Sequence, residues 1–411
     1  MSEVKVEVSA DEVGMDQERL DRIERHFRAY VDDGRLPGWS VLVSRANKVA
    51  YVATYGSSDL EAGRQVDEAT LFRIFSMTKP ITSVALMMLY EEGLVELTDP
   101  VSKYIPSFAS CRVFQKGSSS APVTVPVQED VRIWHLLTHT SGLTYGFHYA
   151  HPCDAIYRMR GYEWGVPAEF DLAQACDGFA SMPLVFEPGS EWNYSVATDV
   201  VGRVVEVVSG MTLDEFFRTR IFEPLKMNDT HFLLPEEDVE RMAALYMPSP
   251  STGKATRFDG MSPKPGVRPR YLSGGGGLIS SLGDYHRFTQ MLLNEGELDG
   301  VRLLGSRTVE YMTVNHLPGN ADLTAFGRPI FAETSYNGVG FGLGFSVVMD
   351  PTAAKTSASA GQFAWGGAAS TTFWVDPLEE ITVIFMTQLL PSSTYPIRPQ
   401  LAQLVYQALV D

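Results

Sequence analysis

Runs of β-branched and aromatic residues lie near both ends of this chain, separated by a long stretch of helical periodicity, and this distribution constrains the fold most. Trp39–Val43 and Val49–Tyr55 read as strands joined through the polar Ala46-Asn47-Lys48, which is short enough for a hairpin. Towards the other end, Gly340–Met349, Phe363–Val375 and Ile381–Thr387 have the same character, with Asp376-Pro377 marking a turn. Asp16 to Val31 spaces Leu20, Ile23, Phe27 and Val31 three or four apart, the pattern of an amphipathic helix. Leu401–Val410 closes the chain as a second helix. The two ends therefore predict one antiparallel sheet with helical cover, an α+β architecture.

Between about Ser76 and Leu225 the periodicity is mainly helical, with candidate helices at Ile81–Glu92, Ile133–Thr138, Ala197–Val208 and Leu213–Ile221. Ser249 to Arg270 is rich in Pro, Ser and Gly and reads as a long loop. The expected division is a discontinuous α/β domain, residues 1–75 and 226–411, interrupted by a mainly helical insertion, residues 76–225. With 411 residues, 45% of them hydrophobic, the chain can bury a large core without staples. Its formal net charge of −17 would repel a phosphate backbone, so neither nucleic acid nor an anionic membrane is an expected partner. Three cysteines, Cys111, Cys153 and Cys176, fit no disulfide framework. The first 16 residues lack a basic region followed by an apolar stretch, and nothing approaches 18 uninterrupted apolar residues. The expectation is a cytoplasmic protein.

The chemistry centres on Ser76-Met77-Thr78-Lys79, an S-x-x-K. The bare pattern occurs three times, at Ser2/Lys5, Ser76/Lys79 and Ser251/Lys254, and context separates the copies. Ser2 is near the terminus and Ser251 is in the Pro-rich stretch, whereas Ser76 follows Leu71–Phe75 and opens a helix with core face Ile81, Val84, Ala85, Met88 and Leu89. Pro80 fits only a first turn, which places the helix start near Ser76. Three residues make about one turn, so Ser76 and Lys79 face the same way. A serine hydroxyl needs an adjacent base, and a desolvated lysine can serve as one. For an arbitrary S-x-x-K the plainer account is a serine cap with a surface lysine one turn on.

Two further segments stand out. Glu187-Pro188-Gly189-Ser190-Glu191-Trp192-Asn193-Tyr194-Ser195 leads into a helix and could set the Tyr194 phenol in a cleft. Ala364-Trp365-Gly366-Gly367-Ala368 puts glycines inside a strand, which weakens it unless a ligand approaches the backbone or a bulge forms.

In this order, Ser-x-x-Lys, Tyr-Ser and Trp-Gly-Gly resemble the serine hydrolases related to class C β-lactamases and DD-peptidases, and most of all the family VIII carboxylesterases. Trp134–Leu143, Phe186–Tyr194 and Gly275–Phe288 extend the resemblance across nearly the whole chain. It implies a β-lactamase/DD-peptidase-like fold with Ser76 as acylated nucleophile and Lys79 as its base or proton partner. It also implies Tyr194 as activator of the serine or of the deacylating water. The backbone N–H groups of Ser76 and Ala368 would form the oxyanion hole, and Trp365, Gly366 and Gly367 would take the place of the Lys/His-Thr/Ser-Gly triplet of β-lactamases. That triplet brings a cation and a hydroxyl to the substrate carboxylate, and Trp365-Gly366 supplies neither. Val196 replaces the asparagine of Tyr-x-Asn. Both departures favour an apolar acyl ester over a charged β-lactam.

The resulting expectation is a serine carboxylesterase for small to medium esters, with no cofactor and no metal. Tyr145 and Phe147 belong to an aromatic stretch that could line its pocket. Acyl transfer to an alcohol or amine, weak β-lactamase or amide hydrolysis, and a non-catalytic binding protein on the same scaffold remain open alternatives. His148, His151 and Cys153 cluster as a metal set might, though polar loop residues explain them as well. Gly274–Gly277 lacks the Lys-Ser/Thr of a phosphate loop, and no G-x-S-x-G occurs.

Overall fold

The computed structural model describes residues 4–261 and 263–410, so Ser2 of the first S-x-x-K lies outside the described residues. The predicted N-terminal hairpin forms from β1, Gly38–Arg45, and β2, Lys48–Asp59. Ala46 and Asn47 both take left-handed φ, 49° and 61°, the turn whose twist matches its strands. Short β3, Arg64–Gln65, follows on the outer edge.

The C-terminal runs fold back more often than their composition suggested. Gly340–Met349 splits into β4, Val339–Phe341, and β5, Ser346–Val348; Phe363–Val375 splits into β6, Phe363–Gly366, and β7, Thr372–Asp376. Each break falls where the backbone reverses at positive φ, 101° at Gly344 and 68° at Ser370. Strand β8, Ile381–Thr387, completes an eight-stranded antiparallel sheet in the order β4-β5-β6-β7-β8-β1-β2-β3. Register runs from Trp39 opposite Thr387 to Arg45 opposite Ile381, so the two ends of the chain are joined at the sheet centre.

Period-two alternation then builds two cores. On one face Trp39, Val41, Val43 and Phe385 pack with Leu20, Ile23 and Phe27 of α1, Gln17–Asp32, and with Leu401 and Val405 of the C-terminal helix, Ile397–Tyr406. Asp16 caps α1 by accepting from the Arg19 N–H at 3.0 Å. On the other face Leu42, Phe373, Ile384 and Met386 join the main core with α2, Thr78–Glu91, α3, Ala197–Ser209, and α4, Leu282–Leu293. The C-terminal helix is α5.

Helix α2 departs from the expected one-sided pattern. Every residue from Thr78 to Leu89 is buried, because neighbours surround it. Leu213–Ile221 divides into an α-helix, Leu213–Phe217, and a π-helical turn, Arg218–Phe222. The stretch expected to be mainly helical also holds a hairpin, Arg112–Ser118 with Ala121–Pro126. The loop predicted from Ser249 begins with a two-stranded ladder, Tyr246–Pro248 with Ala255–Arg257, closed where Gly253 takes φ 71°. Among the described residues no helix is long and apolar enough to cross a membrane.

Candidate active site

Ser76 is delivered by a short strand and a strained turn. Leu71–Arg73 pairs antiparallel with Ile279–Ser281, then Phe75 takes φ 43° and a 3₁₀ turn, Phe75–Met77, runs into α2. A bulky residue in the left-handed region costs about 1–3 kcal/mol, which the packing around it must offset. The predicted one-turn offset then holds: Lys79 Nζ lies 3.2 Å from Ser76 Oγ.

Lys79 is 1% exposed. Its amine also donates to the Gly275 carbonyl at 2.6 Å and to the Tyr145 hydroxyl at 2.9 Å, and among the described residues no carboxylate pairs with it. Burial without a counter-ion lowers its pKa to about 8, against the more distant charges of Asp199 and Glu333, which pull the other way. A neutral amine has two N–H donors and one lone pair. With the Gly275 carbonyl and Tyr145 oxygen accepting the two protons, the lone pair is left for Ser76 Oγ.

Tyr194 comes from the segment before α3, 118 positions away in sequence, and donates to Ser76 Oγ at 2.6 Å. Burial pushes its phenol well up, so the hydroxyl stays protonated. Its ring lies 4.7 Å from Lys79 Nζ. The segment is fixed from several sides. His148 Nε2 donates to the Tyr194 carbonyl at 2.7 Å, and Asn193 Nδ2 to the Leu143 carbonyl at 2.8 Å. His139, at left-handed φ 56°, packs edge-on at 5.2 Å and bonds Ser195 Oγ at 3.2 Å.

Asp199 escaped the sequence reading. Its buried carboxylate accepts from Ser273 Oγ at 2.6 Å and from the Gly275 N–H at 3.0 Å, which orients the carbonyl that holds Lys79. A Cβ on Gly275 would come within 2.6 Å of that carboxylate, so the glycine is required there. The Gly274–Gly277 run thus holds the lysine, with the Gly275 carbonyl on its amine and the Gly274 carbonyl accepting from Thr82 Oγ1 at 2.7 Å.

The Trp365 stretch flanks the cluster. The buried Trp365 ring meets Tyr194 at 5.3 Å and Phe341 at 5.3 Å. The room left by Gly366 and Gly367 is taken by protein: a Cβ on Gly366 would lie 2.2 Å from Arg398, and one on Gly367 2.3 Å from the Ile74 carbonyl oxygen. That close approach brings the Gly367–Ala368 corner against the Ser76 turn. The Ala368 N–H donates to no group among the described residues. Val196 is buried at the head of α3.

Tyr145, expected only as pocket lining, has its hydroxyl on Lys79. Phe147 stacks on Tyr145 at 4.6 Å, and Trp164, 60% exposed, stacks on Phe147 at 5.1 Å. The ladder runs from the amine to solvent, and Trp164 carried no sequence signal beyond its aromaticity. His148, His151 and Cys153 serve structure: His151 Nδ1 accepts from the Cys153 N–H at 3.2 Å, and the Cys153 thiol is buried. Among the described residues no three His, Cys, Asp or Glu side chains are grouped to hold a metal.

An antiparallel sheet with helices on both faces, carrying a serine beside a buried lysine, defines a serine-hydrolase class. Its family follows from comparison: the Beta-lactamase family profile matches residues 23–407, and the chain belongs to that family. Protein Rv1367c of Mycobacterium tuberculosis is 34% identical over 376 residues, covering 90% of each chain. Esterase EstB of Burkholderia gladioli is 32% identical, covering 89% of each. The solved structure of EstCE1, described as a hydrolase with promiscuous acyltransferase activity, superposes with a TM-score of 0.78 at 27% identity, covering 95% of this chain and 99% of that one. The chain is an enzyme, a serine hydrolase with the β-lactamase-like fold.

Proposed function

We propose that the enzyme is a carboxylesterase acting on small to medium acyl esters through an acyl-enzyme on Ser76. One observation carries the reading: the Ser76 hydroxyl touches both a buried amine with its pKa lowered to about 8 and a phenol held protonated. Environments that push two titratable groups apart separate base from acid. Lys79 takes the Ser76 proton as Oγ attacks the ester carbonyl. The N–H groups of Ser76 and Ala368 receive the developing oxyanion, each worth about 10²–10³ in rate. Tyr194 gives its proton to the leaving alkoxide and recovers one from Lys79. Water then enters, passes a proton back along the same pair, and releases the acid and Ser76. Trp365, Gly366 and Gly367 form the wall beside the acyl group, and the Tyr145–Phe147–Trp164 ladder borders the way in.

The test is turnover of p-nitrophenyl butyrate by wild type and Ser76→Ala. A loss of about 10³-fold or more is expected, and full activity in the variant would overturn the assignment. Acyl transfer is the second reading, favoured by the activity described for EstCE1. Adding a primary alcohol and quantifying the new ester against free acid separates the two.

A further inference from the structure

A half-buried ion pair lies against the same strand. Trp365 turns towards Tyr194, so alternation along β6 turns Gly366 the other way, into the guanidinium of Arg398 on α5. Arg398 Nη2 bonds the Glu333 carboxylate and also donates to the carbonyls of Thr371 at 3.2 Å and Gly367 at 3.3 Å. Its Nη1 donates to the Glu333 carbonyl at 2.7 Å. The Glu333 side chain is 1% exposed, against 24% for Arg398, and accepts a further bond from Ser392 Oγ at 2.8 Å.

The loop that carries Glu333 is laced to the segment that carries Tyr194. The Trp192 N–H donates to the Phe326 carbonyl at 2.9 Å, the Arg328 N–H to the Trp192 carbonyl at 3.0 Å, and Tyr336 packs edge-on to Trp192 at 5.7 Å. The Glu333 charge is accordingly felt at Lys79, Tyr145 and Tyr194 alike.

A guanidinium beside an acyl-transfer site is by its chemistry a receptor for carboxylates, since its planar fork matches their two oxygens. Here the chain fills that fork itself. We propose that Glu333 is a specificity-determining residue, its carboxylate occupying on Arg398 the position that an anionic group of a substrate would take. The site is thereby restricted to uncharged esters. An incoming carboxylate would find the cation neutralised and would meet Glu333 as a like charge. The inference rests on the esterase reading and deepens it to a substrate class. It also gives Gly366 a reason independent of any ligand: a Cβ there would push the Arg398 guanidinium off the position from which it bonds Glu333, Gly367 and Thr371.

The experiment compares kcat/KM for p-nitrophenyl butyrate, neutral, with that for mono-p-nitrophenyl glutarate, singly anionic at neutral pH. Wild type should prefer the neutral ester by about tenfold or more. In Glu333→Gln and Glu333→Ala that preference should fall by about tenfold, and in Glu333→Ala/Arg398→Met it should return towards the wild-type value. The ratio divides out any general loss of activity. A preference within about twofold of wild type in both single variants, each with a cooperative melt, overturns the inference. So does a wild-type enzyme that turns over both esters equally, a result that needs no variant to fold. Failure of the esterase reading looks different: wild type would hydrolyse neither ester and would escape labelling by a fluorophosphonate.

Discussion

Lys79 and Arg398 are two cations on opposite sides of the Trp365–Gly367 strand, the first 1% exposed and the second 24%, and they differ in what meets the charge. Arg398 has a carboxylate on its guanidinium, whereas Lys79 has a carbonyl and two hydroxyls. The carboxylate on Arg398 meets its charge by pairing, whereas Lys79, buried with no counter-ion on its amine, releases its proton more easily, and a base results. Substituting the pair and the base should therefore have opposite consequences for stability and for catalysis.

The strongest way to break this contrast is Lys79→Met. It should lower kcat by about 10²–10⁴-fold, the scale of a lost general base, while the thermal midpoint holds or rises because a buried amine is replaced by an apolar chain of similar length. Near-wild-type kcat would remove Lys79 from the mechanism. Tyr194→Phe should lose about 10²-fold in kcat, read with the same ester. If it does not, the proton reaches the leaving group by another route.

Arg398→Met supplies the opposite arm. It leaves Glu333 buried and unpaired, and urea unfolding should show a loss of about 3 kcal/mol, the low end for a broken buried pair because Arg398 retains some solvent contact. An unchanged midpoint would show that the pair contributes little.

Asp199→Asn sharpens the account of the base. Activity needs the free amine, so kcat/KM should rise with pH through the Lys79 pKa of about 8. The Asp199 charge favours the ammonium and holds that pKa up, so removing it should move the acid limb to lower pH. A limb that stays or moves up would overturn this role. The smallest effect belongs to Tyr145→Phe, which leaves the amine one acceptor short and should lower kcat by about tenfold or less.

The legible parts of the site were those with short reach. Ser76 and Lys79 are three residues apart, so helical geometry alone put them on one side, and Pro80 located the turn. Tyr194 could be singled out by its motif, yet its approach to Ser76 depends on α3 packing against α2. Asp199 and Gly275 looked like an interior acid and part of a glycine run. Nothing near them in the chain shows that one orients the other, or that the carbonyl so oriented lies 196 positions from Lys79. Gly366 and Gly367 were read as possible room for a ligand. That question turns on which face each residue presents and what approaches from outside the strand, here an arginine from the last helix.

The same boundary runs through the fold. Alternating β-branched and aromatic residues identified the strands of both ends and the polar turn at Ala46-Asn47, because these signals are local. The extra reversals at Gly344 and Ser370 fall among turn-forming residues, Gly342 and Gly344 in one segment and Gly366, Gly367 and Ser370 in the other, but the aromatic and β-branched residues on either side merged each segment into one strand. By itself the sequence determined which residues could be strand, helix and nucleophile. Only the tertiary structure decided that Lys79 would be dry and without a counter-ion while Arg398 would be half-buried and paired. Solvation and Coulomb energy depend on distance through space, and the residues that set them here come from every part of the chain.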